Sequence, residues 1–395
     1  MLDSHPYELR ELAQADLPAF LQKKDFRGIN VTIPYKQAVM PFLDEIDPAA
    51  REIGAVNTIV NRDGRLCGYN TDFYGLKTLL EAIGVPLQGK TVAVLGTGGT
   101  SLTACAVAKA MGASELLRVS RRAGEDRVSY ADFYRDHAAR VRILINTTPV
   151  GMYPNPDACP AELDRLPALE AVADPIYNPL RSELVLGAWA RHIPAQGGLL
   201  MLTAQAVRAS EIFTGQTYPA GTAEHICAVL TERKENLVLS GMPASGKTTV
   251  GRLLARKTGR PFLDLDEEIT RRCGKTPAEL IAEAGEAAFR DTETAVLRAV
   301  LAGLSGAVLA LGGGTVLRDE NVTMLRQNGM LCFLDRPVSD LLPTADRPLS
   351  STREALEKRY AERIDRYLAT ADLRVAGFKT PEEAVEMIER SRKTV

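Results

Sequence analysis

Residues Gly241 to Thr248, Gly-Met-Pro-Ala-Ser-Gly-Lys-Thr, match G-x-x-x-x-G-K-[ST] at every fixed position. Glycines there let backbone N–H groups curl around phosphate oxygens, and a following helix N-terminus adds partial positive charge. Lys247 is placed to bridge β- and γ-phosphates, and the Thr248 hydroxyl to hold Mg²⁺. Gly241, Ala244, Ser245, Gly246 and Thr249 complete the expected cradle. LVLS before the loop and a helical pattern after it supply the strand–loop–helix context the motif needs. Two aspartates follow in PFLDLDEEI (261–269). On a strand, residues two apart share a face. Asp264 and Asp266 are therefore expected together, one near the metal and one accepting from a substrate hydroxyl.

A second glycine turn, GTGGTS (96–101), follows the apolar run TVAVL. Gly96, Gly98 and Gly99 suit the tight turn and close pyrophosphate approach of a dinucleotide site, with Ser101 where a third glycine is usual. The next strand ends in Ser120-Arg121-Arg122 rather than in an acidic residue. Two guanidiniums there suit a 2′-phosphate, which favours NADP(H) over NAD(H). Upstream, NVTIPYK (30–36), GAVNT (54–58) and YNTD (69–72) put small polar residues at strand ends, with Lys36 and Asp72 beside them. A lysine and an aspartate near one ligand form a proton-transfer pair.

The elements needed to hold these groups are legible. β-branched runs alternate with amphipathic stretches, the pattern of α/β architecture with mostly parallel sheets. Strands are expected at 28–33, 55–61, 115–120 and 142–151, and helices at 100–111, 202–215 and near 222–232. TERKEN (231–236) reads as a charged linker. The chain has 395 residues and a net charge of −2, so bulk electrostatics favour small-molecule partners over nucleic acid or membrane. Its six cysteines show no CxxC spacing, and no apolar leader follows Met1. A reducing, cytoplasmic setting is the expectation. Ala299–Leu317 lacks charge, but its five glycines argue for a buried strand and loop rather than a membrane span.

Beyond the phosphate loop come Phe289-Arg290, Gly312-Gly313-Gly314, Arg347-Pro348-Leu349, and Arg363 four residues before Tyr367. With the aspartate pair, these resemble shikimate kinase over 237–395. The resemblance implies that Asp266, Arg290, Gly313 and Arg363 bind shikimate, the two arginines clamping its carboxylate. It also implies that Arg347 is a lid arginine closing on the phosphates, with ATP and Mg²⁺ as cosubstrate and metal. In RPVSDLLPTAD (336–346) no arginine stands where the family packs one on adenine.

The earlier blocks, with NTTPVGM (146–152), DPIYNP (174–179) and MLTAQA (201–206), resemble shikimate dehydrogenase over about 5–230. This implies Lys36 as the catalytic lysine with Asp72 as its partner. Thr32, Asn57, Tyr177 and Gln205 would contact shikimate, and Gly198 and Met201 would close on the nicotinamide. Ser120 and Arg122 replace the asparagine and threonine usual beside Arg121. Family members open with a further strand and a Ser-x-Ser loop that holds the shikimate carboxylate. This sequence starts after it, so a weakened dehydrogenase half is one expectation.

The expected domains are a substrate domain (1–84), a Rossmann NADP domain (85–200), returning helices (201–230), the linker (231–236) and a P-loop kinase domain (237–395). The alternatives are a quinate dehydrogenase, another small-molecule P-loop kinase, or a regulator that senses shikimate or quinate on the same folds. Retention of Lys36, Asp72, Lys247, Thr248 and Asp264 favours live enzymes.

Overall fold

The computed structural model describes residues 6–341 and 352–392. The chain divides into two compact units, Met1–Val229 and Leu230–Val395.

The first unit opens with α1 (Leu17–Lys23), β1 (Gly28–Asn30), β2 (Glu45–Ile46), α2 (Pro48–Ile53), β3 (Thr58–Arg62) and β4 (Arg65–Tyr69). They form a sheet of order β1-β3-β4-β2, antiparallel except for the β2–β4 pair. Helix α3 (Thr71–Ile83) leads out of it. A second sheet follows, built from β5 (Thr91–Leu95), α4 (Gly99–Ala110), β6 (Glu115–Ser120), β7 (Val128–Ser129), the single turn α5 (Tyr130–Asp132), β8 (Val141–Asn146), β9 (Ala171–Asp174), α6 (Glu183–Trp189) and β10 (Ala195–Gly197). Its strands are all parallel, in the order β10-β9-β8-β5-β6-β7. Chain order reverses beside β5, so the turn carrying Gly96 and Gly98 opens where ligands bind in such sheets. The buried strands are near-continuous Val, Ile, Leu and Ala, as a sheet covered on both faces requires.

Helix α7 (Leu199–Thr214) returns to the first sheet, and α8 (Thr222–Lys234) follows it. A Cβ on Gly75 of α3 would lie 2.6 Å from the Met201 carbonyl oxygen, and one on Gly28 would lie 2.4 Å from the Phe213 ring. These close approaches lock α3 and β1 onto α7.

The second unit has β11 (Asn236–Ser240), α9 (Lys247–Thr258), β12 (Phe262–Asp264), α10 (Leu265–Cys273), α11 (Pro277–Leu301), β13 (Val308–Ala310), α12 (Asp319–Asn328), β14 (Gly329–Asp335), α13 (Arg353–Thr370), β15 (Leu373–Ala376) and α14 (Pro381–Arg392). Its sheet is all parallel, with order β12-β13-β11-β14-β15. Separate apolar clusters cover its two faces. No described helix is long and apolar enough to cross a membrane, and the uncharged run at 299–317 is a helix end, β13 and a loop.

Several sequence expectations need correction. The 28–33 strand ends at Asn30: Val31 N–H still bonds to the Asn57 carbonyl at 2.7 Å, and the chain then turns, with Tyr35 N–H on the Thr32 carbonyl at 2.9 Å. The 55–61 strand starts at Thr58, because Val56 N–H bonds to the Lys36 carbonyl at 2.8 Å instead. The 142–151 strand stops at Asn146, whose side chain accepts from Thr148 N at 2.9 Å and turns the chain. TERKEN is not a free linker: Thr231–Lys234 complete α8 and Asn236 opens β11. Arg260 donates to the Glu232 and Glu235 carbonyls there, satisfying orphan acceptors of the helix end.

Candidate functional site

In the first unit, Lys36 lies on the loop after β1 and Asp72 on the first turn of α3. Their ammonium and carboxylate meet at 2.5 Å, both side chains largely buried. Asn70 sets this geometry: it caps α3 by accepting from Phe73 N at 3.1 Å and donates to the Ala55 carbonyl at 2.9 Å. The Val56 N–H on the Lys36 carbonyl fixes the lysine from the other side.

Beside the pair runs a buried polar chain. Asn57 Oδ1 accepts from Thr71 N at 2.7 Å, Asn57 Nδ2 donates to Thr71 Oγ1 at 3.0 Å, and Thr71 Oγ1 donates to Gln205 Oε1 at 3.3 Å. Thr71 was not singled out in sequence, although it stands inside YNTD. Thr32 and Tyr177 are exposed.

The dinucleotide turn faces this cluster. A Cβ on Gly99 would meet only the Lys36 side chain, at 3.9 Å, and one on Gly98 would meet nothing within 4 Å. That open, glycine-lined approach fits a pyrophosphate. Gly96 has φ +113° and packs on Thr147, a conformation that favours glycine. Ser101 is fully buried in α4. Ser120 donates to the Arg122 carbonyl and shapes the turn, leaving Arg121 and Arg122 exposed without an ion pair among the described residues. Gly198, where α7 starts, leaves no room for any side chain: a Cβ would fall 1.9 Å from the Pro175 carbonyl oxygen. Met201 is buried on the same helix.

That junction holds a group the sequence did not flag. Asp174, buried at the end of β9, accepts from Asn146 Nδ2 at 3.0 Å, Ile176 N at 3.2 Å and Ser182 Oγ at 2.5 Å. Burial pushes its carboxyl up to about 6 despite those bonds.

In the second unit, Gly241 (φ +145°), Ala244 (φ +65°) and Gly246 (φ +93°) curl the loop between β11 and α9. Lys247 Nζ donates to the Gly241 and Met242 carbonyls, each at 2.9 Å. Ser245 Oγ is buried without a hydrogen-bond partner among the described residues. An orphaned hydroxyl in a loop of left-handed backbone fits a phosphate. Thr248 Oγ1 donates to Asp264 Oδ2 at 2.7 Å, and Thr249 follows on the same helix turn. This pair is the donor set available to Mg²⁺. No cluster of three metal-type side chains exists among the described residues, so the phosphates would have to share the coordination.

The two aspartates do meet the site, but not as a strand pair. Asp264 ends β12 and caps α10 by accepting from Asp266 N at 3.0 Å, so Asp266 sits in a helical first turn. A capping carboxylate stops the strand where alternation would have continued it.

The candidate substrate residues converge on the glycine triplet after β13. A Cβ on Gly312 would lie 2.7 Å from Glu293 Oε1 and 2.9 Å from Asp266 Oδ1. On Gly313 it would lie 3.0 Å from Pro243 of the phosphate loop, and on Gly314 it would lie 2.2 Å from the Arg290 guanidinium. The Gly313 carbonyl accepts from Arg363 Nη1 at 3.0 Å and from the Tyr367 hydroxyl. Burial first of all pushes that phenol up to about 12, so it stays a donor. Arg290 Nη1 pairs at 2.6 Å with Glu293, which is fully buried and also accepts from Thr315 Oγ1 at 2.7 Å. Sequence reasoning missed Glu293, although its place three residues after Arg290 puts both on one helix face.

Arg347, Pro348 and Leu349 lie outside the described residues. Arg336, in the stretch read as lacking an adenine-packing arginine, has its guanidinium 5.8 Å over the Phe378 ring, with Nε buried and without a hydrogen-bond partner among the described residues.

The first unit thus has the form of an α/β fold with a glycine dinucleotide turn facing a lysine–carboxylate pair, and the second that of a P-loop fold. The family model of the shikimate dehydrogenase substrate binding domain matches residues 4–59, and that of shikimate kinase matches 243–391. The shikimate dehydrogenase (NADP(+)) of Geobacillus kaustophilus is 43% identical over 202 residues, spanning 48% of this chain and 73% of that protein. The one from Geobacillus sp. WCH70 is 38% identical over 225 residues, spanning 53% and 81%. Among solved structures, shikimate dehydrogenase 1 from Peptoclostridium difficile aligns with TM-score 0.51 and 31% identity, covering 56% of this chain and 85% of that one. A chorismate mutase/shikimate 5-dehydrogenase fusion from Clostridium acetobutylicum aligns with TM-score 0.53 and 29% identity, covering 56% and 85%. The chain belongs to the shikimate dehydrogenase family, and a shikimate kinase domain follows in the same polypeptide.

Proposed function

We propose that the chain is a cytoplasmic bifunctional enzyme of two consecutive steps. Its first unit reduces 3-dehydroshikimate to shikimate with NADPH, and its second phosphorylates the 3-hydroxyl of shikimate with ATP and Mg²⁺. The observation that carries this reading is the same in each unit: ligand-handling charged groups meet a nucleotide turn. Lys36, paired with Asp72, lies against Gly99, while Asp266, Arg290 and Arg363 gather on a glycine triplet that touches Pro243.

In the first unit NADPH would supply the hydride; Arg121 and Arg122 would hold its 2′-phosphate, and Gly198 and Met201 would close on its nicotinamide. The Lys36 ammonium gives its proton to the substrate's carbonyl oxygen, which becomes the hydroxyl. Asp72 holds that ammonium on its 2.5 Å contact. Asn57, Gln205 and Thr71 present donors and acceptors to ring hydroxyls, and Thr32 and Tyr177 complete the rim.

In the second unit the Asp266 carboxylate accepts the proton of the 3-hydroxyl as that oxygen bonds to the γ-phosphorus and the bridge to the β-phosphate breaks. Mg²⁺ would be held by Thr248 and Asp264 and would offset phosphate charge. Lys247 and the backbone around Gly246 hold the phosphates, and Arg347 serves as the lid cation. Arg290 and Arg363 clamp the substrate carboxylate.

The test is a crossed pair of variants in the full chain. Lys247→Ala should abolish shikimate-dependent ADP release and spare NADPH oxidation by 3-dehydroshikimate. Lys36→Ala should do the reverse. Kinase turnover surviving in Lys247→Ala, or reductase turnover surviving in Lys36→Ala, refutes the corresponding half.

A further inference from the structure

The arginine clamp of the second unit already contains a carboxylate. Gly285, at φ +84° and ψ 166°, interrupts α11 so that Glu286 opens a second helical stretch beside the clamp. Glu286 Oε1 lies 3.1 Å from Arg290 Nη2 and 3.7 Å from Arg363 Nη2.

The surroundings differ sharply from those of Glu293. Glu293 is sealed in the core, holds Arg290 Nη1, and has its other oxygen committed to Thr315. The Glu286 side chain is 41% exposed and takes the Nη2 atoms, the ends of the two guanidiniums that Glu293 and the Gly313 carbonyl leave over. Among the described residues, Glu286 is the only carboxylate that pairs with Arg363. Burial works to raise its carboxyl, but the Arg290 hydrogen bond and the charges of Arg290, Arg359 and Arg363 outweigh burial and hold it below the usual range. It is therefore an anion facing the clamp.

Resting on the kinase reading above, we propose that Glu286 is an internal stand-in for the substrate's carboxylate. It holds Arg290 and Arg363 converged while the site is empty and yields their Nη2 atoms when shikimate enters. A guanidinium edge has a fixed set of donors. Two carboxylates sharing Nη2 repel each other, so substrate affinity is set by a competition. The exposure of Glu286 gives it water to retreat into, which Glu293 lacks.

The experiment is a kinase assay and calorimetric shikimate binding on the full chain, comparing wild type with Glu286→Gln and Glu286→Ala. Removing the competing charge should lower the shikimate KM and Kd roughly threefold or more in both variants. The ATP KM should stay put, and kcat should change less than KM. A residue that merely props the arginines predicts the opposite, a raised KM, with glutamine better tolerated than alanine. An active wild type whose variants show an unchanged or raised shikimate KM and Kd overturns this inference alone. A wild type that neither binds nor phosphorylates shikimate overturns the kinase reading and this inference with it.

Discussion

Gly314→Ala isolates the placement of the proposed arginine clamp. Gly314 sits at φ −117° and ψ −2°, a conformation alanine adopts freely, so backbone strain contributes nothing. The added Cβ would lie 2.2 Å from Arg290 Nη2, 2.4 Å from Cζ and 2.7 Å from Nη1. Carbon–nitrogen contact needs about 3.5 Å, so the guanidinium must move by about 1 Å. Its 2.6 Å bond to Glu293 cannot survive that shift unaltered. The moving atoms end a flexible side chain, so the fold should absorb the methyl at an overpacking cost of about 1–3 kcal/mol. Function should lose more. A misplaced charge-assisted contact is worth about 1.5–3 kcal/mol, or roughly tenfold to a hundredfold in shikimate KM, with ATP KM unchanged. The assay is initial-rate kinetics with each substrate varied, alongside thermal unfolding. Gly303→Ala, whose Cβ would meet nothing within 4 Å, is the matched control. A folded Gly314→Ala variant with ordinary shikimate KM would refute the reasoning, since Arg290 would then not need its observed position.

Two further outcomes are expected. Replacing Arg121 and Arg122 together with alanine should weaken NADP(H) binding roughly tenfold or more and leave NAD(H) binding nearly unchanged; an equal loss for both cofactors in titrations would show that the arginines act structurally. The buried Asp174 carboxyl, raised to about 6 from 3.8, holds a proton in the folded state that the unfolded chain releases between those values. Its contribution is therefore favourable at low pH and is lost as pH rises through about 6, reaching roughly 3 kcal/mol of penalty by pH 7. Wild type should lose unfolding free energy relative to Asp174→Asn as pH rises from 4 to 7, and parallel pH profiles in urea unfolding would contradict it.

What could be read from the sequence alone was local. The phosphate loop was legible because its chemistry depends on consecutive backbone groups, and Gly241, Gly246, Lys247 and Thr248 need only the strand and helix that flank them. The dinucleotide turn and its flanking strand and helix were legible for the same reason, as was the alternation behind the two parallel sheets, whereas the antiparallel pairing of β3 with β1 and β4 was not. Strand ends were misjudged wherever a group outside the ladder captured a backbone N–H: the Asn146 side chain turning β8, the Asp264 side chain capping α10, and the distant Lys36 main-chain carbonyl taking Val56 N–H. Apolar periodicity carries no information about such captures. The clamp required tertiary structure for a different reason. Arg363 reaches Gly313 across 50 positions, and Thr315 reaches Glu293 across 22, so no spacing rule connects them. Helical spacing places Glu286, Arg290 and Glu293 on one face. Only the folded chain decides that Glu293 is sealed in the core as a permanent partner while Glu286 stays at the solvent edge, because burial is set by what packs against a residue from elsewhere in the chain.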